Sequence, residues 1–166
     1  QKLSNPYRLG YCLRLKAQIQ LYLGNLSKST EYYFQALTKF KETKIDAMIS
    51  LAYSDIAVIS YYNENYKQAA EYWEKSIELD EIAGKQNRTA NTLSNLGLAY
   101  IEYGNLTKAE TALQKSLSLA KENNQKSVEA SAYTNLTKLE YTKKNYKKAI
   151  EYNNLAAQYY KSVKKY

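Results

Sequence analysis

The 166-residue sequence contains no histidine and only one cysteine, Cys12. Histidine is the usual general base and the commonest metal ligand, and one thiol can form neither an internal disulfide nor a thiolate metal site. The sequence also lacks a glycine-rich phosphate-binding loop. We therefore expect no enzyme, no bound metal and no cofactor. We expect Cys12 to be buried as a small apolar group, and the adjacent acids Asp80 and Glu81 to lie at a solvated helix end.

Proline and glycine are also scarce, with one proline and five glycines in the chain. Both residues interrupt helices, so their scarcity favours a nearly all-helical protein. No apolar run reaches the roughly 18 residues of a membrane span, and no signal peptide is visible. We expect no membrane insertion and favour the cytoplasm. An extracytoplasmic location stays open if a signal upstream of Gln1 was removed.

The net charge of +8 is unevenly distributed along the chain. Residues 1–45 and 138–166 are basic, whereas residues 46–137 carry an excess of acids. Four lysines, at 143, 144, 147 and 148, surround the last predicted turn and could attract phosphates. Only one aromatic residue lies among them and no nucleic-acid-binding motif is present. We interpret this run as a solvated face and expect no nucleic-acid partner.

A turn marker recurs at a constant interval of 40 residues. Each of Asn25, Asn65, Asn105 and Asn145 is followed by Leu or Tyr. A fixed period of about 20–50 residues is typical of stacked supersecondary units. We expect one domain over residues 1–166, part of a longer protein, with four units at about 6–45, 46–85, 86–125 and 126–166.

Each unit reads as a pair of helices joined by a short turn. Leu93, Leu96, Gly97 and Tyr100 follow the i, i+3, i+4, i+7 spacing of one helix face. Neither helix of a pair could bury such a face alone, so each must pack on its partner and on the next unit. The predicted helices are about 6–23, 26–43, 46–63, 66–82, 88–103, 106–122, 126–143 and 146–164.

These residues resemble the tetratricopeptide repeat, whose pattern joins Leu-Gly and Tyr on the first helix with Ala-x-x-x-aromatic on the second. The third unit matches best, through Leu93, Leu96, Gly97, Tyr100 and Ala109. The period exceeds the usual value of about 34 residues, and the closing proline is absent. The longer period is similar to that of Leu-Gly-Asn (Pins-type) adaptors and bacterial Rap-type peptide-sensing regulators. HEAT repeats have a comparable period but lack this turn, and rank a distant second.

The resemblance implies an all-α, right-handed superhelical solenoid of four antiparallel hairpins whose concave face is lined by the first helix of each pair. In the resembling families, asparagines on that helix hold the backbone of a bound peptide. Asp55, Asn95 and Asn135 occupy the equivalent place, 40 residues apart. An asparagine amide offers a donor and an acceptor together. We predict a peptide-binding face formed by Asp55, Asn95, Asn135, Tyr61, Tyr141, Asn91 and Lys138. The alternative is a set of solvated polar residues on a groove wall.

Two functions are therefore weighed. The first is a scaffold that binds a peptide or an extended protein segment on its concave face. The second is a self-associating or sensory repeat domain of a larger signalling protein, such as a kinase or a transcription regulator. In that case the C-terminal helix would carry a homo-oligomer contact. Terminal repeats usually present a polar outer face, whereas this helix contains Tyr159 and Val163 near the end of the sequence.

Overall fold

The computed structural model describes residues 5–163, apart from the side chain of Gln86. Within that range it contains eight α-helices and no strand. The helices are α1 (Pro6–Tyr22), α2 (Leu26–Thr43), α3 (Asp46–Tyr62), α4 (Tyr66–Ile82), α5 (Gln86–Tyr103), α6 (Leu106–Glu122), α7 (Lys126–Thr142) and α8 (Tyr146–Val163). The predicted all-α class and all eight helices are confirmed. The largest difference is at α5, which begins at Gln86 rather than Arg88. The predicted end of α8 at Lys164 lies outside the described residues.

The seven turns share one backbone design. Each turn places a residue in the left-handed conformation, 20 residues after the previous one, at positions Gly24, Lys44, Glu64, Gly84, Gly104, Asn124 and Lys144. In most turns the next N–H donates to the carbonyl five residues back, as from Asn105 to Tyr100 at 2.8 Å. This is the Schellman pattern that ends helices. The turn asparagines follow the left-handed residue, and Asn105 caps α6 by accepting from the Lys108 N–H at 3.1 Å.

The chain divides into two compact units, Gln1–Lys85 and Gln86–Tyr166. In the first unit α1 packs on α2, α2 on α3, and α3 on α4. Its core includes Phe40 and Ile56, both fully buried. Ser29 ties α2 to α1 by donating to the Ala17 carbonyl at 2.9 Å. Trp73 of α4 is 3% exposed and belongs to the buried core residues of this unit.

Two expectations for the first unit are wrong. Asp80 is 1% exposed and accepts a 2.6 Å hydrogen bond from the Ser50 hydroxyl, because its place on α4 faces α3 rather than solvent. Cys12 is exposed. The buried residues of α1, Gly10 and Ala17, lie on the side of the helix opposite Cys12.

In the second unit α5 packs on α6, α6 on α7, and α7 on α8, with a further contact between α5 and α7. The approach of α5 to α6 depends on Gly97, because a Cβ there would lie 2.5 Å from the Leu113 Cγ. Ser116 joins the same two helices by donating to the Ala90 carbonyl at 2.7 Å.

Candidate functional site

In the first unit the predicted site residue Asp55 forms an ion pair with Arg14. The Arg14 Nε and Nη2 atoms donate to the two Asp55 carboxylate oxygens, the second at 3.2 Å, and so join α1 to α3. The two side chains are only 16% and 13% exposed. Such a two-point pair fixes geometry as well as charge. Asp55 is therefore engaged within the protein.

Tyr33 lies in the surroundings of this pair. Burial, and then the negative charge of Asp55, raise the pKa of Tyr33 to about 12. Tyr33 is 2% exposed and belongs to the core of the first unit. The hydroxyl therefore stays neutral at a pH at which an exposed tyrosine ionises.

This shift predicts a loss of stability at alkaline pH. The pKa of Tyr33 is raised in the folded state, so its contribution is complete below pH 10 and is lost as pH rises toward 12. From about pH 9.5 to about pH 11 we expect the free energy of unfolding to fall by about 1 kcal/mol through Tyr33. Urea unfolding over this range would measure the fall, and Tyr33→Phe should flatten it. A Tyr33→Phe slope equal to that of the unaltered protein would contradict the assignment.

Tyr61, the other predicted site residue of the first unit, belongs to an aromatic cluster. Its ring centroid lies 5.2 Å from that of Tyr66, 6.1 Å from that of Trp73 and 6.5 Å from that of Tyr62. Tyr61 is half-buried, whereas Tyr62 is 59% exposed. The cluster packs the end of α3 against the start of α4, so Tyr61 has a packing role there.

In the second unit Asn135 is a buried link between α7 and α5. Its Nδ2 donates to the Ser94 carbonyl at 3.1 Å and to the Ser94 Oγ at 3.0 Å. Asn135 is 9% exposed. Both hydrogen bonds use the side-chain N–H group of Asn135, which the sequence analysis predicted to bind the backbone of a peptide ligand.

Asn95, at the same place in the preceding unit of the repeat, has a different environment. It is half-buried on α5, and its amide makes no hydrogen bond within the described part of the chain. Asn91, one turn earlier on the same helix face, is exposed. Of the three equivalent polar residues, Asn95 is the one whose donor and acceptor are both available.

Lys138 and Tyr141 lie on the neighbouring helix α7. The exposed Lys138 ammonium donates to Glu102 of α5. Tyr141 is 66% exposed and contacts Tyr146 edge-on, with 5.6 Å between ring centroids. Asn91, Asn95, Leu98 and Glu102 follow one face of α5, and Thr134, Lys138 and Tyr141 one face of α7. We call these seven residues the α5–α7 face.

The arrangement contains a regular contact that the sequence reading missed. Arg14 pairs with Asp55, and Ser94 pairs with Asn135, in both cases across 41 residues. Arg14 and Ser94 therefore lie at equivalent positions of the 40-residue repeat. Each contacts the residue 41 positions later, on the first helix of the next hairpin. In the sequence, the basic Arg14 lies 41 positions before the acidic Asp55, and this spacing could have predicted their ion pair.

The described residues show no metal-binding or membrane-spanning feature. Among them no group of three or more His, Cys, Asp or Glu side chains could hold a metal ion. The helices searched in residues 5–163 include none long and apolar enough to cross a bilayer.

A second buried acid, Glu140, is 2% exposed and accepts a hydrogen bond from the Asn145 side-chain amide at 2.9 Å. It joins the end of α7 to the following turn.

Residues 48–122 match the tetratricopeptide repeat family. The solved structure of BtubC from P. vanneervenii is similar, with 19% identity, a TM-score of 0.86, and coverage of 100% of this chain and 68% of that one. Aspartyl phosphate phosphatase F from Bacillus subtilis has 18% identity, a TM-score of 0.86, and coverage of 98% and 43%. A Rap protein complexed with Competence and Sporulation Factor has 17% identity, a TM-score of 0.84, and coverage of 97% and 45%.

These likenesses concern the fold. This chain spans less than half the length of the phosphatase and of the Rap protein. No curated protein matches it by sequence. The family match, the eight helices in regular pairs and the similar structures agree with one another. The chain has a helical-repeat fold of the tetratricopeptide type, and in fold it resembles the Rap regulators.

Proposed function

We propose that the chain is a scaffold that binds a peptide or an extended protein segment on the α5–α7 face. The tetratricopeptide-type fold supports a binding role, since its helix pairs leave long surfaces open to partners. A similar structure, the Rap protein, is complexed with Competence and Sporulation Factor. The observation that carries the proposal is the half-buried Asn95 amide, which lies on that face without a hydrogen-bond partner among the described residues.

The chemistry of the face fits an extended backbone. One asparagine amide can donate to a backbone carbonyl and accept from a backbone N–H at the same time. Asn91 lies one turn away and offers a second amide. The exposed Tyr141 ring can cover an apolar ligand side chain at little entropic cost. The Lys138 and Glu102 pair adds one charge of each sign beside these groups.

The same geometry changes the ranking of the predicted site residues. Asp55 and Asn135 are each held by an internal partner, and Tyr61 packs in an aromatic cluster. We therefore assign them to the scaffold, and assign ligand contact to Asn91, Asn95, Lys138 and Tyr141. The broader role, within a larger regulatory protein, rests only on the likeness to longer Rap-type chains.

The test uses a random peptide library displayed on phage and selected against the whole chain. For an enriched peptide, Asn95→Ala should weaken binding by about tenfold or more, because a buried hydrogen-bond pair to the backbone is lost. Fluorescence anisotropy measures this affinity. Glu151→Ala, at an exposed site on α8, is the matched control and should leave it unchanged. No enriched peptide, or equal affinity for the Asn95→Ala chain, would refute the proposal.

A further inference from the structure

Tyr141 of the α5–α7 face lies within a group of lysines. Residues 138–148 contain five lysines and one acid, Glu140. The Tyr141 side chain is 66% exposed, so it meets solvent where basic residues predominate. What can bind over this ring therefore depends on which of the five lysines already have an acid partner within the protein.

Three of the five lysines have acid partners. The pairs are Lys138 with Glu102, Lys143 with Glu110, and Lys148 with Glu140. In the last pair the ammonium lies 3.9 Å from a carboxylate that is itself 2% exposed. Each of these lysines is matched by one acid, so the three pairs together add no net charge to the surface around Tyr141.

The other two lysines, Lys144 and Lys147, are exposed and form no ion pair in the described part of the chain. Both lie beside the tyrosine. The Lys144 N–H donates to the Tyr141 carbonyl at 2.9 Å. Lys147 directly follows Tyr146, whose ring contacts that of Tyr141 edge-on. Two uncompensated positive charges therefore flank the exposed ring.

Lys138 adds a third group that can contact an anion. An ammonium has three N–H donors, and the described residues give this one a single partner, Glu102. The two side chains are 45% and 25% exposed, so a ligand carboxylate can reach the remaining donors without displacing Glu102. Lys138 and Tyr141 are i, i+3 neighbours, about 5–6 Å apart. An extended chain advances about 3.3 Å per residue, so ligand side chains one or two residues apart reach both.

We propose that the ligand of the α5–α7 face is an acidic extended segment, in which an apolar side chain covers Tyr141 and at least one Asp or Glu lies within two residues of it. The two asparagines of the face hold its backbone, and Lys138, Lys144 and Lys147 attract its carboxylates. This inference rests on the proposed function and adds the chemical class of the ligand.

Single-stranded nucleic acid is also anionic, but it fits this surface less well. Its affinity depends on neutralising several phosphates and on stacking several bases. Only two of the five lysines lack an acid partner among the described residues, and Tyr141 is the one aromatic residue of the α5–α7 face. Asn91 and Asn95 lie about 6 Å apart along α5. Groups on one side of an extended peptide recur at roughly 6.6 Å, which favours a peptide.

The sequences of the peptides selected from the phage library test the inference. Most enriched peptides should carry Asp or Glu within two residues of an apolar residue, and their acids should outnumber their bases. For one such peptide, changing each Asp to Asn and each Glu to Gln should weaken binding to the whole chain by about tenfold at low salt. This difference should shrink at high salt, because salt screens exposed charges.

A pair of substitutions in the protein identifies the charges involved. Lys144→Gln combined with Lys147→Gln should weaken binding of the acidic peptide by about fivefold and leave its amide version unchanged, because only carboxylates meet the two charges. Lys28→Gln combined with Lys67→Gln is the matched control. It removes the same charge from exposed places in the first unit and should change neither affinity. Circular dichroism checks that both variants keep their helices.

The outcomes separate this inference from the proposed function. Enriched peptides without an excess of acids, or an amide version that binds as tightly as the acidic one, would overturn the acidic ligand and leave the binding face in place. Equal losses in the two double variants would also overturn it, since net charge alone would then explain them. Tighter binding of single-stranded oligothymidylate than of every selected peptide would overturn it in favour of a nucleic acid. No enriched peptide at all would refute both proposals.

Discussion

Replacing Asp55 by alanine is expected to destabilise the Gln1–Lys85 unit by about 3 kcal/mol, because the charge of Arg14 loses its partner in a poorly solvated place. The Arg14 side chain is 16% exposed, and two of its guanidinium nitrogens donate to Asp55. Urea unfolding followed by circular dichroism measures the loss. Hydrogen exchange should assign it to α1 and α3, the helices that the pair joins.

Two controls separate this ion pair from ordinary surface charge. Arg14→Met combined with Asp55→Leu removes both charges, and we expect most of the lost stability to return. Lys138→Ala breaks the exposed pair with Glu102, whose side chains are 45% and 25% exposed, and should cost less than about 1 kcal/mol. An Asp55→Ala loss no larger than that of Lys138→Ala would show that the pair is solvated.

The helix pattern was predictable because it depends on short-range chemistry. The left-handed turn residues recur every 20 positions, and Gly24 and Gly104 directly precede the asparagines that marked the period. The apolar face of α5, with Leu93 and Leu96, is buried as its spacing predicted. Such features need only neighbours within a few residues, so one sequence contains enough information to find them.

The partners of the predicted site residues were not predictable in the same way. The repeat placed Asp55, Asn95 and Asn135 at equivalent positions, but equivalent positions need not have equivalent neighbours. Arg14 reaches Asp55 and Ser94 reaches Asn135 only because adjacent pairs place these helices side by side. Periodicity gives the helix face and leaves open whether that face meets a ligand or another helix.

The errors at Cys12 and Asp80 have a related cause. A residue type carries an average burial preference, and the helix face on which it lies decides the outcome. Cys12 is on the side of α1 away from Gly10 and Ala17, so a usually buried residue is exposed. Asp80 faces α3, where the Ser50 hydroxyl compensates its burial.

Asn135→Asp is expected to destabilise the Gln86–Tyr166 unit by about 3 kcal/mol at neutral pH, although the two side chains have nearly the same shape. The Asn135 amide donates to the Ser94 carbonyl at 3.1 Å. A carboxylate would instead bring its negative oxygen against that carbonyl in a site that is 9% exposed. Urea unfolding of the variant and of the unaltered chain at the same pH measures the difference.

The pH dependence of the variant distinguishes a lost donor from a general loss of packing. Burial raises the pKa of a carboxyl, so the new aspartic acid should take up a proton as pH falls and donate to Ser94 again. The destabilisation should therefore shrink toward acid pH, by the linkage between protonation and folding. Asn95→Asp, at the half-buried equivalent place without a hydrogen bond among the described residues, should change stability by less than about 0.5 kcal/mol. Equal losses in the two variants at neutral pH would mean that the Asn135 contact with Ser94 adds no stability, and that both amides are equally available to a ligand.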